Sequence, residues 1–301
     1  MTATTPVTPE VQASLAYCHG IARTRARNFY YGLKLTPEPK RSAVYAIYAF
    51  MRACDDMADG EDAEQLPVPM RQERIETFRQ TMVDVLNQSD DAAMPEGEHW
   101  PAFRHVMRTY PIDLAYMHAM LDGQIADLHK HHYATFDELY GYCYNVASVV
   151  GLVCLCIWGF EGDDATRKLA EYRGIALQLT NILRDPVEDA QRERFYLPQE
   201  DLDRFGYCPD DLKQGKANEA FDQLMHFQVQ RAQSYYDQSA SLEQHIHPDS
   251  RATCWAMMRI YHGLLEQITA NPRRVLTSRV RLSSLQKIAL GLRATWKKSW
   301  A

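Results

Sequence analysis

Apolar residues recur every three to four positions along most of this 301-residue chain. That spacing, or long runs without glycine or proline, marks residues 11–26, 37–57, 70–87, 114–128, 136–160, 165–184, 218–239, 250–268 and 284–296. Each of these predicts a helix. No stretch alternates apolar and polar side chains as a half-buried strand does. The pattern therefore predicts an all-α fold of about nine or ten helices packed around one core. Pro37 and Pro111 sit where helix starts tolerate proline. Loops are expected at 60–69, 88–98 and 205–209, and none is long enough to be a domain linker. Residues 1–301 read as a single domain, with the polar, Thr/Pro-rich residues 1–10 expected to be disordered.

Residues 142–160 (YCYNVASVVGLVCLCIWGF) form a nearly continuous apolar run about as long as a membrane span. The run carries Asn145 and Ser148 and lacks the basic flanks that would orient it. A central helix that is apolar all round because it is buried all round is the reading preferred over a transmembrane one.

Composition changes this picture little. Hydrophobic residues make up 46% and charged residues 24%, which is ordinary for a globular chain. The net charge of −6 argues against nucleic acid as a partner. The charge is uneven, because the last 30 residues carry Arg273, Arg274, Arg279, Arg281, Lys287, Arg293, Lys297 and Lys298 and no acid. Such a stretch suits phosphates or a membrane surface. The seven cysteines form no CxxC pair; with no apparent signal peptide, reduced thiols in a cytoplasmic protein are expected.

The candidate chemistry lies in two acidic motifs near the ends of long helical runs. In the first, Tyr48, Arg52, Asp55 and Asp59 are spaced 4, 3 and 4 apart and share one helix stripe, with Asp56 turned about 100° away. Two stacked carboxylates repel one another. They make sense around a cation, and Mg²⁺ favours such carboxylates together with substrate phosphate oxygens. In the second motif, Gln178, Asn181, Asp185 and Asp189 form a similar oxygen-donor row, with Arg184 and Glu188 on the neighbouring stripe. The apolar context at 44–51 and 175–183 predicts that both rows face an interior cleft, where carboxylates need a partner. Pro186 interferes with this pattern. It removes an amide hydrogen and disfavours helical geometry at residue 185, so a kink or stop is expected there and the placement of Asp189 depends on it.

These residues give the chain its likeness. Asn28-Phe-Tyr-Tyr, then 41–59 (RSAVYAIYAFMRACDDMAD), 142–151 (YCYNVASVVG), 178–197 (QLTNILRDPVEDAQRERFYL) and finally Tyr261 and Arg279 resemble, in order, the squalene/phytoene synthase family of head-to-head prenyltransferases. The resemblance implies an isoprenoid synthase fold and condensation of two identical prenyl diphosphates. One substrate loses diphosphate with help from Mg²⁺, and its allylic cation is attacked by the C2–C3 double bond of the other. The resulting cyclopropylcarbinyl diphosphate is reduced with NADPH in squalene synthases. In phytoene synthases it rearranges and loses a proton.

The resemblance further implies that Asp55, Asp59, Asn181, Asp185 and Asp189 form the Mg²⁺ and diphosphate set, with Arg52 and Arg184 as diphosphate clamps. Tyr48, Tyr144, Gln178, Asn28, Tyr261 and Arg279 are implied around the reacting centre and its phosphates. The Asn28 and Asp55 segments look more like those of bacterial squalene-pathway enzymes. Two farnesyl diphosphates giving presqualene diphosphate is the expected reaction, with continuation to squalene, and so NADPH use, left open. Two geranylgeranyl diphosphates giving phytoene is the alternative, and an inactive scaffold relative is the remote one. An apolar product implies peripheral contact with the inner face of a membrane and transfer to downstream isoprenoid enzymes.

Overall fold

The computed structural model describes residues 7–26, 30, 32–89 and 92–296. Among them, ten helices of eight residues or more build the molecule. They are α1 (Pro9–Arg25), α2 (Lys40–Asp59), α3 (Val68–Asn87), α4 (Trp100–Thr109), α5 (Leu114–His129), α6 (Phe136–Trp158), α7 (Asp164–Arg184), α8 (Glu219–Gln238), α9 (Pro248–Ala270) and α10 (Ser284–Trp296). No strand occurs among the described residues. Two isolated bridges, His132–Phe195 and Phe160–Ile246, are the only β-type pairings there.

Side-chain caps explain several helix starts. Asp113 accepts from the Ala115 amide at 2.8 Å, Asp163 from Ala165 at 2.9 Å and Asn218 from Phe221 at 2.8 Å. Each satisfies an amide that the first turn leaves without a partner. Two starts differ from expectation. Helix α1 begins at Pro9 rather than 11, with Thr8 capping the Val11 amide at 3.3 Å. Helix α2 begins at Lys40 rather than 37, with Pro39 immediately before its first residue; the Glu38 carboxylate accepts from the Ser42 amide at 3.1 Å.

Helix α4 was not anticipated from the sequence. It is short, and its apolar Trp100, Phe103 and Val106 are interleaved with His105 and Arg104. Tertiary packing holds it, with Phe103 stacking on Phe50 of α2 at 4.2 Å and Trp100 lying 4.9 Å from Phe78 of α3.

Helix α6 is the one described helix long and apolar enough to cross a membrane. Here it packs against α2, α5 and α7, and Leu139, Val149, Val153, Leu155 and Ile157 are almost fully inaccessible. Its middle, Tyr144–Ser148, is a π-turn. Gly123 of α5 lies against this turn; a Cβ there would meet Val146 at 2.8 Å. One apolar core joins α1 to α6, and a second joins α6 to α9.

Candidate active site

Helices α2, α6, α7 and α9 enclose a cavity of about 440 Å³ between the two cores. Its walls are mostly apolar and include Val44, Ile47, Val150, Leu155, Leu177 and Met258. Ala147 and Gly151, the small residues of α6, also line it. The cavity has two distinct ends. At one, Lys40 at the start of α2 donates to the Trp158 carbonyl at 2.6 Å and pairs with Asp249 at 2.8 Å, joining the ends of three helices. At the other, α2 delivers Asp55 and α7 delivers Asn181 and Arg184. The 14 steps from Ala170 to Arg184 along α7 span about 21 Å at 1.5 Å per residue.

Both acidic motifs occur where a helix ends. Asp59 is the last residue of α2 and Asp185 caps the C-terminus of α7. The negative end of the helix dipole disfavours carboxylates at such positions, so cations must gather there. Arginines do so. Arg52 binds Asp55 at 3.2 Å and also Asp56, its Nε lying 3.1 Å from Asp56 Oδ1. Asp56 turns away from the cleft, as the helical repeat predicts, and takes a second partner in Arg25 at 2.8 Å. Arg184 holds both oxygens of Asp185 at 3.0 Å, and Arg279 reaches Asp185 at 2.7 Å and Glu188 at 3.4 Å. Burial opposes the charge on Arg184, and Asp185 outweighs it, holding the guanidinium above its ordinary value.

Pro186 ends α7, as expected, and it also opens a short helix, Pro186–Gln191. The first helical position suits proline. Across the break the Asp189 amide still donates to the Asp185 carbonyl at 3.0 Å, so Asp189 stays one turn beyond Asp185.

The carboxylates respond to this crowding. Burial, then Asp56, Asp59 and Asp127, push Asp55 up to about 7 against the opposing pull of Arg52. Burial, Asp185 and Glu188 push Asp189 up to about 7 as well. Asn181 donates to Gln178 at 3.3 Å, while its own Oδ1 is buried without a partner. Tyr261 is buried beside Asn181 and Arg184.

Of the residues predicted from the sequence, Tyr48, Asp55, Gln178, Asn181, Arg184, Tyr261 and Arg279 line the cavity, and Arg52 joins them through Asp55. Asp59, Asp185 and Asp189 stand at the rim, held by arginines or close to them. Tyr144 does not reach the cavity. It opens the π-turn, and burial, then Glu171 and Asp113, raise the pKa of its hydroxyl. Asn28 lies outside the described residues, as do Lys297 and Lys298.

Three further groups were not among the residues singled out from the sequence, although Arg194 falls within the 178–197 block. Arg173 is buried in the cavity wall, donating to Glu243 at 2.6 Å and to Ser239 Oγ at 2.9 Å. Arg194 donates to both oxygens of Asp59, at 2.9 and 2.8 Å. Asp127 of α5 lies beside that pair, and burial pushes it up to about 6.

The donor set suits a hard cation. It offers carboxylates whose charge the protein only partly compensates and a buried amide oxygen with no partner. Mg²⁺ usually takes one or two carboxylates and completes its shell with water and substrate phosphates. Among the described residues no three acidic, His or Cys side chains are placed to hold a metal ion together.

Known proteins share this architecture. Residues 22–286 match the family described as squalene/phytoene synthase. The chain is 34% identical over 283 residues to the 15-cis-phytoene synthase of Synechococcus elongatus, covering 90% of this chain and 89% of that one. It is 35% identical over 281 residues to the phytoene synthase of Mycobacterium tuberculosis, covering 92% and 89%. Among solved structures, a dehydrosqualene synthase in complex with ligand superposes with a TM-score of 0.84 at 29% identity, over 97% of this chain and 99% of that one. The squalene synthase HpnC from Alicyclobacillus acidocaldarius shares the fold, with a TM-score of 0.78 at 24% identity over 89% and 96%.

Proposed function

We propose that this chain, which belongs to the squalene/phytoene synthase family and is a prenyltransferase, joins two geranylgeranyl diphosphates head to head to give phytoene. The observation that carries the reading is the placement of both acidic rows at one end of a long apolar cavity. A diphosphate head belongs at the charged end, and only a hydrocarbon tail suits the rest. The choice of C20 over C15 rests on the relatives at 34–35% identity that are named phytoene synthases. They favour phytoene over the presqualene product expected from the sequence motifs. Two farnesyl diphosphates remain the second reading, kept by the likeness to a dehydrosqualene synthase.

Asp55, Asp59, Asn181, Asp185 and Asp189 are the residues that would hold Mg²⁺. When bound, the metal supplies neutralisation of the charge that gathers on a departing diphosphate. Arg52, Arg184 and Arg279 exchange their carboxylate partners for phosphate oxygens, an exchange that suits planar guanidinium groups. Tyr48 and Tyr261 present aromatic faces near the charged end, where an allylic cation is stabilised by the ring quadrupole. The apolar walls from α6 and α7 exclude the water that would trap such a cation. The phytoene reading requires no reductant, and NADPH is without support. The exposed Arg274 and Arg281 are proposed to meet an anionic membrane surface that receives the product. Liposome binding unchanged on neutralising both would discard that idea.

The decisive experiment incubates the pure protein with Mg²⁺ and either C15 or C20 diphosphate, with and without NADPH, followed by mass analysis of extracted lipids. Phytoene from the C20 substrate without NADPH is expected. A product from C15 alone would replace the reading with the second one, and no product from either would reject both.

A further inference from the structure

Arg194 connects the two acidic motifs. Its side chain grips Asp59 at 2.8 and 2.9 Å, and its backbone amide donates to the Asp189 carbonyl at 2.9 Å. The segment that carries it, residues 194–199, is not helical up to its last residue. It runs as an extended strap beside residues 131–133, with Phe195 N bonded to the His131 carbonyl at 2.8 Å and Gln199 N to the Tyr133 carbonyl at 2.8 Å. A backbone strap alone leaves a long arginine side chain several rotatable bonds with which to miss its target.

A buried carboxylate secures the strap from below. Asp127, near the end of α5, accepts from Tyr196 of the strap at 3.1 Å and from Tyr142 of α6 at 3.1 Å, one hydroxyl to each oxygen. The two hydroxyls lie 3.3 Å apart and their rings stack at 5.2 Å, with Tyr133 completing a three-ring enclosure. A buried acid is costly unless its hydrogen bonds are satisfied and a cation is near. Both conditions hold, since Arg194 opposes the effect of burial on Asp127. Of the helices thus joined, α5 packs against α2, which carries the first acidic motif, and α6 lines the cavity.

We infer that Asp127, with Tyr142 and Tyr196, is a positioning residue that aims Arg194 at Asp59 and so fixes the separation of the two acidic motifs. It touches neither substrate nor metal in this role and acts through Arg194. The inference deepens the proposed function and rests on reading the two motifs as one Mg²⁺–diphosphate site.

The test compares the full wild-type chain with Asp127→Asn, Tyr196→Phe, Arg194→Gln and the Asp127→Asn/Arg194→Gln pair. Titration calorimetry reads the binding of Mg²⁺ with inorganic diphosphate, and thermal melting without either reads the fold. Asp127→Asn is expected to weaken binding by about ten- to a hundredfold, the usual effect of losing a partner behind a metal ligand. Tyr196→Phe should move affinity in the same direction, and it decides the matter if Asp127→Asn does not fold. The double variant should bind no worse than Arg194→Gln alone, because the two residues act in series. Wild-type affinity in a folded Asp127→Asn, or single penalties that multiply in the pair, would overturn the inference. A wild-type chain that fails to bind Mg²⁺ and diphosphate at all would instead overturn the site reading, and the inference with it.

Discussion

Gly174 of α7 lies directly against Ser148 of α6: a Cβ at position 174 would sit 2.4 Å from the Ser148 Cα and 2.7 Å from its amide nitrogen. The obstruction is backbone, which cannot rotate aside as a side chain can. The pair brings the two helices together midway along the cavity, and Ser148 Oγ adds a hydrogen bond to the Glu171 carbonyl at 2.8 Å. Gly174→Ala should therefore separate α6 from α7, at a cost of about 1–3 kcal/mol as expected for overpacking. Chemical denaturation measures this directly, and a stability equal to wild type would show that the contact is relieved in some other way.

Asp55→Ala and Asp185→Ala should each abolish product while leaving the helical circular dichroism spectrum intact. The structure extends this to Asp189→Ala, because the Asp189 amide remains bonded to the Asp185 carbonyl across the proline break. Product formation at the wild-type rate in any of the three would remove that acid from the metal set.

Asn181 separates function from stability. Its Oδ1 is buried and unpartnered, so Asn181→Ala removes an acceptor that the fold leaves unused, together with the Nδ2 donor to Gln178. An unpaired buried acceptor costs about 1–3 kcal/mol. The variant should therefore melt no lower than wild type by more than its lost packing and that one hydrogen bond, while its Mg²⁺ requirement rises. A large fall in melting temperature with unchanged Mg²⁺ dependence would contradict the assignment.

His99 gives a pH-dependent component of stability far from the site. It sits among Phe50, Phe78 and Trp100, and its Nε2 has no partner. Burial lowers its pKa to about 4. In the unfolded chain the value is about 6.5, so above that pH both states are neutral and nothing is lost. As pH falls from about 6.5 to 4, the unfolded chain takes up a proton that the folded one refuses, and stability drops. The full difference amounts to roughly 3 kcal/mol at 1.36 kcal/mol per pK unit. His99→Met should flatten this part of the stability–pH curve, and an unchanged curve would place the acid sensitivity elsewhere.

Local rules made the helices readable, and with them the two acidic stripes. Periodicity alone puts Asp55 one turn from Asp59, and Asn181 one turn from Asp185, whatever the rest of the molecule does. Pro186 was equally legible, because its effect on residue 185 is steric and local. Residues whose roles depend on distant partners were not. Asp127 is a single acid in an ordinary amphipathic helix until Tyr142 and Tyr196, 15 and 69 positions away, close over it. Arg194 meets Asp59 across 135 residues. Tyr144 fits the family motif by position, yet it opens a π-turn, which no residue type announces, and it does not line the cavity. Helix α4 forms because Phe50 and Phe78 receive it, rather than from its own propensity. Which side chains share a helical face follows from 3.6 residues per turn and is legible in the chain alone. Which faces meet and which charges pair depends on contacts between distant residues, and no local spacing encodes those.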